Sequence, residues 1–292
     1  MSPIRILDKH YSGMSCNDYN SYSKKYKIVP CGYCPACRMN KAQQWAVRLM
    51  DEKRFWNDAV FLTLTYNNEN LPECGTLVKE DLQKFNKRLR INLDRHYKFN
   101  VPLKIFGCGE YGGKFHRPHY HEIIMGLSDV PEIRSILDKS WKLGFWYLGD
   151  VSHQSCQYVA SYTLKKQYGQ KGKYYEEKGI IPEFVLVSKG IGEQYVKKYK
   201  DILKRDDFVL FKTSSGSFVR VPLPRYYVDK VYSDEDSKVT YKNMRKEAVR
   251  SSRRDLEKRT GLSGFDLDDY EKEHNEQRKV NFETLTRMKG KK

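Results

Sequence analysis

Hydrophobic and polar residues recur with two different spacings along this chain, and the spacing predicts the type of each element. Residues 60–66 (Val-Phe-Leu-Thr-Leu-Thr-Tyr) are β-branched and aromatic, which is typical of a buried strand. Over residues 79–96 apolar side chains recur at helical spacing instead. The inner face of that predicted helix consists of Leu82, Phe85, Leu89 and Leu93.

The same patterns place the other elements and the fold class. Further helices are predicted over residues 38–57, 131–141, 154–167 and 192–204. Further strands are predicted over residues 103–110, 118–125, 145–151 and 180–188, and a hairpin over 208–221. Because a short hairpin joins the strands at 103–110 and 118–125, the sheet is at least partly antiparallel. We therefore expect an α+β fold, with helices packed on a central antiparallel sheet.

Changes in composition divide the chain into three predicted segments. Residues 1–58 form an arm, a cysteine knuckle and a helix, and residues 59–230 form the compact domain. Within the remaining segment, 231–292, residues 241–260 carry eight Lys/Arg against three Asp/Glu and few apolar anchors. This composition predicts a charged tail that is helical or partly disordered.

The charge balance indicates the class of partner. The chain of 292 residues has a net charge of +17 and a pI of about 9.4. A polyanion is the expected partner, with nucleic acid first and an anionic membrane surface second, although an incidentally basic surface is an alternative. No apolar run approaches the roughly 20 residues of a membrane span, and no apolar stretch typical of a signal peptide follows the N-terminus. We expect a protein of a reducing cytoplasm.

Residues 106–126 contain a candidate metal site. If residues 118–125 are a strand, His119 and His121 share one face, and the hairpin brings Glu110 beside His119. Imidazole and carboxylate ligands suit Mg²⁺, Mn²⁺ or Zn²⁺. The alternative is a pair of half-exposed strand histidines without a metal. His116, in the predicted loop, is a spare candidate ligand.

The glycines of the same segment match a nucleotide-binding pattern that the context excludes. Residues 107–112 fit G-x-G-x-x-G, but that motif requires a helix directly after it. Here a loop and a strand follow. We expect the glycines instead to permit close backbone approach beside the metal.

A candidate nucleophile stripe lies on the helix predicted over residues 154–167. Tyr158 and Tyr162 are four residues apart, and Lys165 falls on the same face. A tyrosine needs a nearby cation to become a nucleophile, because its pKa is about 10. The alternative is a packing stripe of half-buried tyrosines with a solvated lysine.

Two further groups have weaker patterns. Three thiols, Cys31, Cys34 and Cys37, have a spacing that can hold Zn²⁺ if Cys16 or another side chain supplies a fourth ligand. Cysteines without a metal explain them equally well. Cations and rings interleave after Tyr162, which suits single-stranded DNA, although a solvated loop is an alternative. The candidate DNA-binding residues there are Lys166, Tyr168, Lys171 and Lys173.

Taken in order, three motifs resemble a known family. They are the strand at 61–66, the Pro-His-Tyr-His segment at 118–121 with Glu110 upstream, and the Tyr-x-x-x-Tyr-x-x-Lys helix at 158–165. This order resembles the HUH endonucleases that initiate rolling-circle replication. The cysteine knuckle at 31–37, the Trp-containing helix and Leu-Pro-Arg-Tyr-Tyr at 223–227 are similar to the replication initiators of gokushovirus-type microviruses.

The resemblance implies a specific activity. Glu110, His119 and His121 would bind Mg²⁺ or Mn²⁺, Tyr158 and Tyr162 would nick and rejoin the origin strand in alternation, and Lys165 would position phosphate or metal. The implied enzyme is a sequence-specific endonuclease for single-stranded DNA that forms a 5′-phosphotyrosyl intermediate and leaves a 3′-OH primer. Its partners would be viral origin DNA and the polymerase and helicase of the host, in the bacterial cytoplasm.

Two other functions remain open on the sequence. One is a non-catalytic protein that binds single-stranded DNA through its basic surface and has a structural zinc knuckle. The other is a metal-dependent nuclease that uses water as its nucleophile. Only the implied enzyme would leave protein covalently attached to DNA.

Overall fold

The computed structural model describes residues 3–6, 27–30, 35–112, 115–161, 170–206, 208–212 and 217–271, together with residues 273, 274, 277 and 280. The chain divides into two compact units, Met1–Ile191 and Gly192–Lys292. The division at residues 58 and 230 that composition suggests stays a prediction.

The strands and helices follow one another along the chain with these bounds. The strands are β1 (Pro3–Ile6), β2 (Lys27–Pro30), β3 (Ala59–Tyr66), β4 (Lys104–Tyr111), β5 (Pro118–Met125), β6 (Gly144–Asp150), β7 (Phe184–Val187), β8 (Phe208–Lys212) and β9 (Phe218–Pro222). The helices are α1 (Pro35–Lys53), α2 (Lys79–Tyr97), α3 (Pro131–Ser140), α4 (His153–Ser161), α5 (Gln170–Glu177), α6 (Glu193–Asp206), α7 (Arg225–Val231) and α8 (Glu235–Thr260).

A five-stranded sheet organises the first unit. Its strand order is β6-β3-β5-β4-β7, and every neighbouring pair is antiparallel. Helices pack on both of its faces. The expected α+β class with a central antiparallel sheet is therefore confirmed.

One face of the sheet is covered by α2 and α3. Alternate residues of β3 are buried there, as period-2 alternation requires. The predicted inner face of α2 is also confirmed, since all four of its apolar side chains are fully buried. Each such side chain contributes roughly 1.5–3 kcal/mol through removal from water. This face is a closed core, which leaves the chemistry to the other side.

The opposite face is covered only in part, by α1 and α4. Ala46 and Leu49 of α1 and Cys156 and Val159 of α4 pack against Phe106 in the sheet. These contacts cover the end of the sheet where β5 finishes. The end where β5 begins carries the candidate metal ligands.

A buried acid lies on the closed face of β5. Glu122 is fully buried, and Asn86 Nδ2 of α2 donates a hydrogen bond to its Oε1 at 2.7 Å. Glu122 Oε2 and Asn86 Oδ1 are buried without a hydrogen-bond partner. Burial raises the pKa of Glu122 to about 8. The folded protein therefore holds a proton here that the unfolded chain has lost.

The substitution Glu122→Gln is expected to remove a pH-dependent loss of stability. Because the carboxyl pKa is higher in the folded state, folding stability falls as pH rises from about 4.5 to about 8. A glutamine does not titrate, and its amide can donate to Asn86 Oδ1. The advantage of the variant should grow by about 1.4 kcal/mol per pH unit in this range. Urea unfolding of both proteins at several pH values measures the difference, and a difference independent of pH would contradict the prediction.

The second unit contains α6, the β8–β9 hairpin, α7 and α8. Val196 and Leu203 of α6 and Tyr227 of α7 are among its buried side chains. Gly192 has φ +81°, and a Cβ there would lie 2.5 Å from the Tyr227 hydroxyl, so the turn before α6 requires glycine. Its longest helix, α8, buries only Ser237. Residues 241–260 are thus helical, within the predicted choice between helix and partial disorder.

The structure also contains elements that the sequence pattern missed. β1 and β2 pair within a segment expected to be an extended arm, and α5 and α7 were not predicted. The strand expected at 180–188 covers only Phe184–Val187. Among the described helices, none has the length and apolar character that crossing a membrane demands.

Candidate functional site

Two neighbouring strands bring the three predicted ligands together. In the register of β4 and β5, Glu110 lies opposite His119, and Cys108 lies opposite His121. Because side chains alternate along a strand, these four side chains share one face of the sheet. It is the face that α1 and α4 leave partly open.

The three side chains converge on one oxygen atom. Glu110 Oε1 lies 2.7 Å from His119 Nε2 and 2.8 Å from His121 Nε2. The candidate ligand atoms all lie within 4.8 Å of one another. Glu110 and His121 are buried, whereas the His119 side chain is 18% exposed. The cluster is therefore preformed and reaches solvent through His119.

The hydrogen bonds of His119 fit a cation at this cluster. Its Nδ1 lies 3.0 Å from the Arg117 carbonyl oxygen. A carbonyl only accepts, so Nδ1 carries a proton and donates it. In the neutral ring, Nε2 then turns a lone pair toward the Glu110 carboxylate, which also offers lone pairs. A proton or a metal ion between them removes this repulsion, and two imidazoles with one carboxylate form a donor set for a divalent metal.

Thr63 orients the second histidine from the neighbouring strand. Its Oγ1 lies 2.9 Å from His121 Nδ1, and the register of β3 and β5 places the two residues opposite each other. The Phe61 ring stacks on the His121 ring, with centroids 5.3 Å apart. Sequence reasoning missed both residues, although alternation along residues 60–66 puts them on one face.

Thr63→Val is expected to weaken Mn²⁺ binding by about 10- to 100-fold. Valine keeps the shape of threonine but removes the oxygen that fixes the His121 ring. Thr63→Ser should restore binding to within a few-fold because it keeps the hydroxyl. Titration of Mn²⁺ by electron paramagnetic resonance measures the affinity. Equal affinities for the valine variant and the parent protein would show that Thr63 has no positioning role.

Helix α4 brings Tyr158 to the same cluster. The helix begins after Ser152, whose Oγ accepts a hydrogen bond from the Ser155 N–H at 3.1 Å. Val159 is buried in the core on this side of the sheet, which fixes the rotation of the helix. The Tyr158 hydroxyl donates a hydrogen bond to Glu110 Oε1 at 3.0 Å. The predicted nucleophile thus meets the predicted ligands.

Two other reactive side chains near the cluster are unsuited to act as nucleophiles. Tyr120, between the two histidines, is buried on the opposite face, and its pKa is raised to about 12, chiefly by burial. Burial also raises the pKa of the Cys156 thiol on α4 to about 12. Both groups stay protonated near neutral pH, so Tyr158 is the better candidate.

Several predicted site residues lie outside the described residues. They are Cys31, Cys34, Tyr162, Lys165, Lys166 and Tyr168. Cys37 is a buried residue in the first turn of α1. The backbone of Lys171 lies in α5, and Lys173 on the same helix is exposed. The zinc knuckle and the DNA-binding residues stay predictions.

Three expectations around the site need correction. Gly107 and Gly109 do not make room beside the metal, because a Cβ at these positions would meet Glu122 and Phe184 on the closed face. Residues 170–177 form a helix instead of a loop. Tyr175, one of the interleaved rings after Tyr162, is buried and donates a hydrogen bond to Glu183. It is not available for stacking with a base.

His116 takes no part in the cluster. It has a left-handed backbone with φ 49°, and its N–H donates to the Gly112 carbonyl at 2.9 Å. The residue is exposed. The described part of the chain therefore offers Glu110, His119 and His121 as the ligand set without it.

Comparisons with known proteins point to one family. Residues 59–167, from β3 through α4, match a family model of replication-associated proteins of the ORF2 type. The replication-associated protein ORF2 of Spiroplasma virus 4 is 30% identical over 306 residues, which cover 95% of this chain and 90% of that protein. The replication-associated protein VP4 of Bdellovibrio phage phiMH2K is 30% identical over 215 residues, or 68% of this chain and 66% of that protein.

A third relative is more distant. The replication-associated protein ORF4 of Chlamydia phage 1 is 27% identical over 242 residues, which cover 76% of this chain and 58% of that protein. No solved structure matches the chain at a significant level. The matched region at 59–167 includes the three candidate ligands and Tyr158.

Proposed function

The chain belongs to the family of microvirus replication-associated proteins, and from this premise we propose that it initiates rolling-circle replication by nicking and rejoining single-stranded DNA. The proposed enzyme is a metal-dependent, sequence-specific endonuclease of the HUH type. It uses tyrosine as its nucleophile and forms a 5′-phosphotyrosyl intermediate.

One observation supports this proposal above the others. Glu110 Oε1 is contacted by both candidate histidine ligands and by the Tyr158 phenol, at 2.7, 2.8 and 3.0 Å. A nuclease that uses water has no need of a tyrosine held against its ligand set. A protein that only binds DNA has no need of the cluster at all.

The residues of the site have distinct roles in this proposal. Glu110, His119 and His121 would hold Mg²⁺ or Mn²⁺, which polarises the scissile phosphate and stabilises charge on its oxygens. The hydrogen bond to Glu110 orients the Tyr158 hydroxyl toward that phosphate. The rings of Phe61 and His121 lie 6.4 and 5.3 Å from the Tyr158 ring and limit its movement. The nucleophile is thus positioned before DNA arrives.

The cleavage step conserves the phosphodiester energy. The tyrosine oxygen loses its proton and forms a bond to phosphorus, while the bond from phosphorus to the 3′ oxygen breaks and that oxygen takes up a proton. The products are a 5′-phosphotyrosine and a free 3′-OH. We propose that Tyr158 and Tyr162 alternate in this step, so that a later 3′-OH attacks the phosphotyrosine and closes the circle without ATP. Lys165 would position the phosphate.

The surroundings of the reaction belong to the same proposal. The net charge of +17 favours a polyanionic substrate, and Lys166, Tyr168, Lys171 and Lys173 would contact single-stranded origin DNA. The free 3′-OH would prime a host polymerase, with a host helicase separating the strands in the bacterial cytoplasm. Zn²⁺ at Cys31, Cys34 and Cys37 would serve structure only.

A covalent-adduct assay tests the proposed function. The protein is incubated with single-stranded viral origin DNA and Mn²⁺, denatured, and run on a gel that detects labelled DNA attached to protein. We expect an adduct band that EDTA prevents. Cleavage without an adduct would favour a nuclease that uses water. Binding with neither cleavage nor adduct would favour the non-catalytic DNA-binding protein.

A further inference from the structure

Two large aromatic side chains on β6 are exposed close to the site. Phe145 and Tyr147 are each 68% exposed. Between them, Trp146 points the other way, and its Nε1 donates a hydrogen bond to Asp138 of α3 at 2.8 Å. The alternation therefore puts both exposed rings on the face of the sheet away from α3.

That face is the one that carries the ligand cluster. In the register of β3 and β6, Thr65 lies opposite Phe145 and Thr63 lies opposite Tyr147. Thr63 is the residue whose hydroxyl contacts His121 on the next strand. Because neighbouring strands are about 4.8 Å apart, the two rings emerge from the sheet about 10 Å from the histidines.

We propose that Phe145 and Tyr147 form a stacking platform for bases of the single-stranded DNA bound at this site, an inference that rests on the proposed function. Every base has a π-face, so aromatic rings bind single strands with little dependence on sequence. Residues two apart on a strand are about 6.6 Å apart. This spacing lets the two rings receive neighbouring bases while the phosphate between nucleotides reaches the ligand cluster.

The local shape of the sheet supports a flat ligand here. Gly149, the next residue of β6 on this face, has no side chain, and a Cβ there would lie 3.5 Å from Tyr147 Cε1 and 3.8 Å from Phe61 Cδ1. The Tyr147 ring thus leans along the strand toward a position without a side chain. Phe61 in turn stacks on His121, so aromatic surface continues from the platform to the ligands.

The charge of the chain favours DNA over a protein as the occupant. A stable protein interface buries about 1,200–2,000 Å² in total, far more than two rings provide. A net charge of +17 complements a polyanion, and opposes the approach of a second copy of the same chain. β6 is nevertheless an edge strand, and pairing with a second copy is the competing outcome of the test.

The test separates stacking from phosphate binding and from catalysis. Fluorescence anisotropy in EDTA compares a labelled oligothymidylate of about 20 nucleotides with an abasic oligonucleotide of the same length and charge. We expect the parent protein to prefer the oligothymidylate. In Phe145→Ala/Tyr147→Ala, affinity for oligothymidylate should fall by about 100-fold, roughly tenfold per ring, while affinity for the abasic strand stays within about twofold. Phe145→Trp and Tyr147→Phe should retain the preference.

A matched control removes an exposed ring far from the site. Phe99 is 60% exposed and precedes β4 at the end of the sheet opposite Glu110. Phe99→Ala should bind both oligonucleotides as the parent does. Unchanged oligothymidylate binding by the double variant would overturn the platform, and so would a parent dimer that the double variant loses with DNA affinity intact. Because EDTA prevents cleavage, failure of the platform is measured independently of failure to form the adduct.

Discussion

His121→Ala is expected to reduce both Mn²⁺ affinity and adduct formation by at least about 100-fold. The substitution removes one of two imidazole ligands and leaves Glu110 buried beside a cavity. A missing ligand cannot be replaced by a neighbour, because His116 stands outside the cluster. Titration of Mn²⁺ by electron paramagnetic resonance and the yield of the covalent adduct measure the two effects in the same preparation.

A second histidine provides the control for this prediction. His96 lies exposed in the last turn of α2, and His96→Ala removes an imidazole without touching the cluster. It should leave Mn²⁺ affinity and adduct yield within about twofold of the parent. If His121→Ala forms adduct as well as His96→Ala does, the cluster is not the metal site of the reaction.

Loss of the Tyr158 hydroxyl should stop chemistry without disturbing the metal. In a Tyr162→Phe background, Tyr158→Phe is expected to lower adduct formation by at least about a thousandfold, as removal of a nucleophile does in other enzymes. The phenylalanine ring can keep the contacts with Phe61 and His121. Mn²⁺ affinity should therefore change by no more than a few-fold. Adduct gels and Mn²⁺ titration measure the two quantities.

The control for Tyr158→Phe is a tyrosine at the end of α2. Tyr97 is partly exposed and distant from the ligands in the sheet register. Tyr97→Phe should form adduct at the rate of the parent. A doubly substituted protein, Tyr158→Phe/Tyr162→Phe, that still forms the adduct would assign the nucleophile to another residue.

Strand β5 shows how one element serves both stability and chemistry. Its alternation places His119 and His121 on the open face and Tyr120 and Glu122 on the closed face. The closed-face residues are packed beneath α2, which holds the strand rigidly under its ligands. A substitution at Glu122 therefore tests stability, while one at His121 tests the reaction.

Local patterns were sufficient to predict the parts of the fold that depend on neighbours in sequence. β5 has the predicted bounds, residues 118–125, and the apolar face of α2 consists of the predicted four side chains. The ligand set also follows from local pattern, because a short hairpin dictates that Glu110 lies opposite His119. Alternation and hairpin register need no knowledge of the rest of the chain.

Contacts between distant segments could not be predicted in this way. Tyr158 meets Glu110 only because α4 docks on the sheet through Val159, and no spacing in the sequence encodes that docking. The role of Thr63 depends on β3 lying beside β5, across 58 residues of chain. The glycines of β4 were misinterpreted for the same reason, since Phe184 comes from a strand that pairs with β4 much later.

Mapping the covalent adduct tests the central claim most directly. The Tyr162→Phe protein is reacted with origin DNA and Mn²⁺, digested with nuclease and trypsin, and analysed by tandem mass spectrometry for a residual nucleotide. The account predicts a 5′-linked nucleotide on the phenol oxygen of Tyr158, the tyrosine that contacts Glu110. A nucleotide on any other residue, or cleaved DNA with no modified peptide, would contradict it.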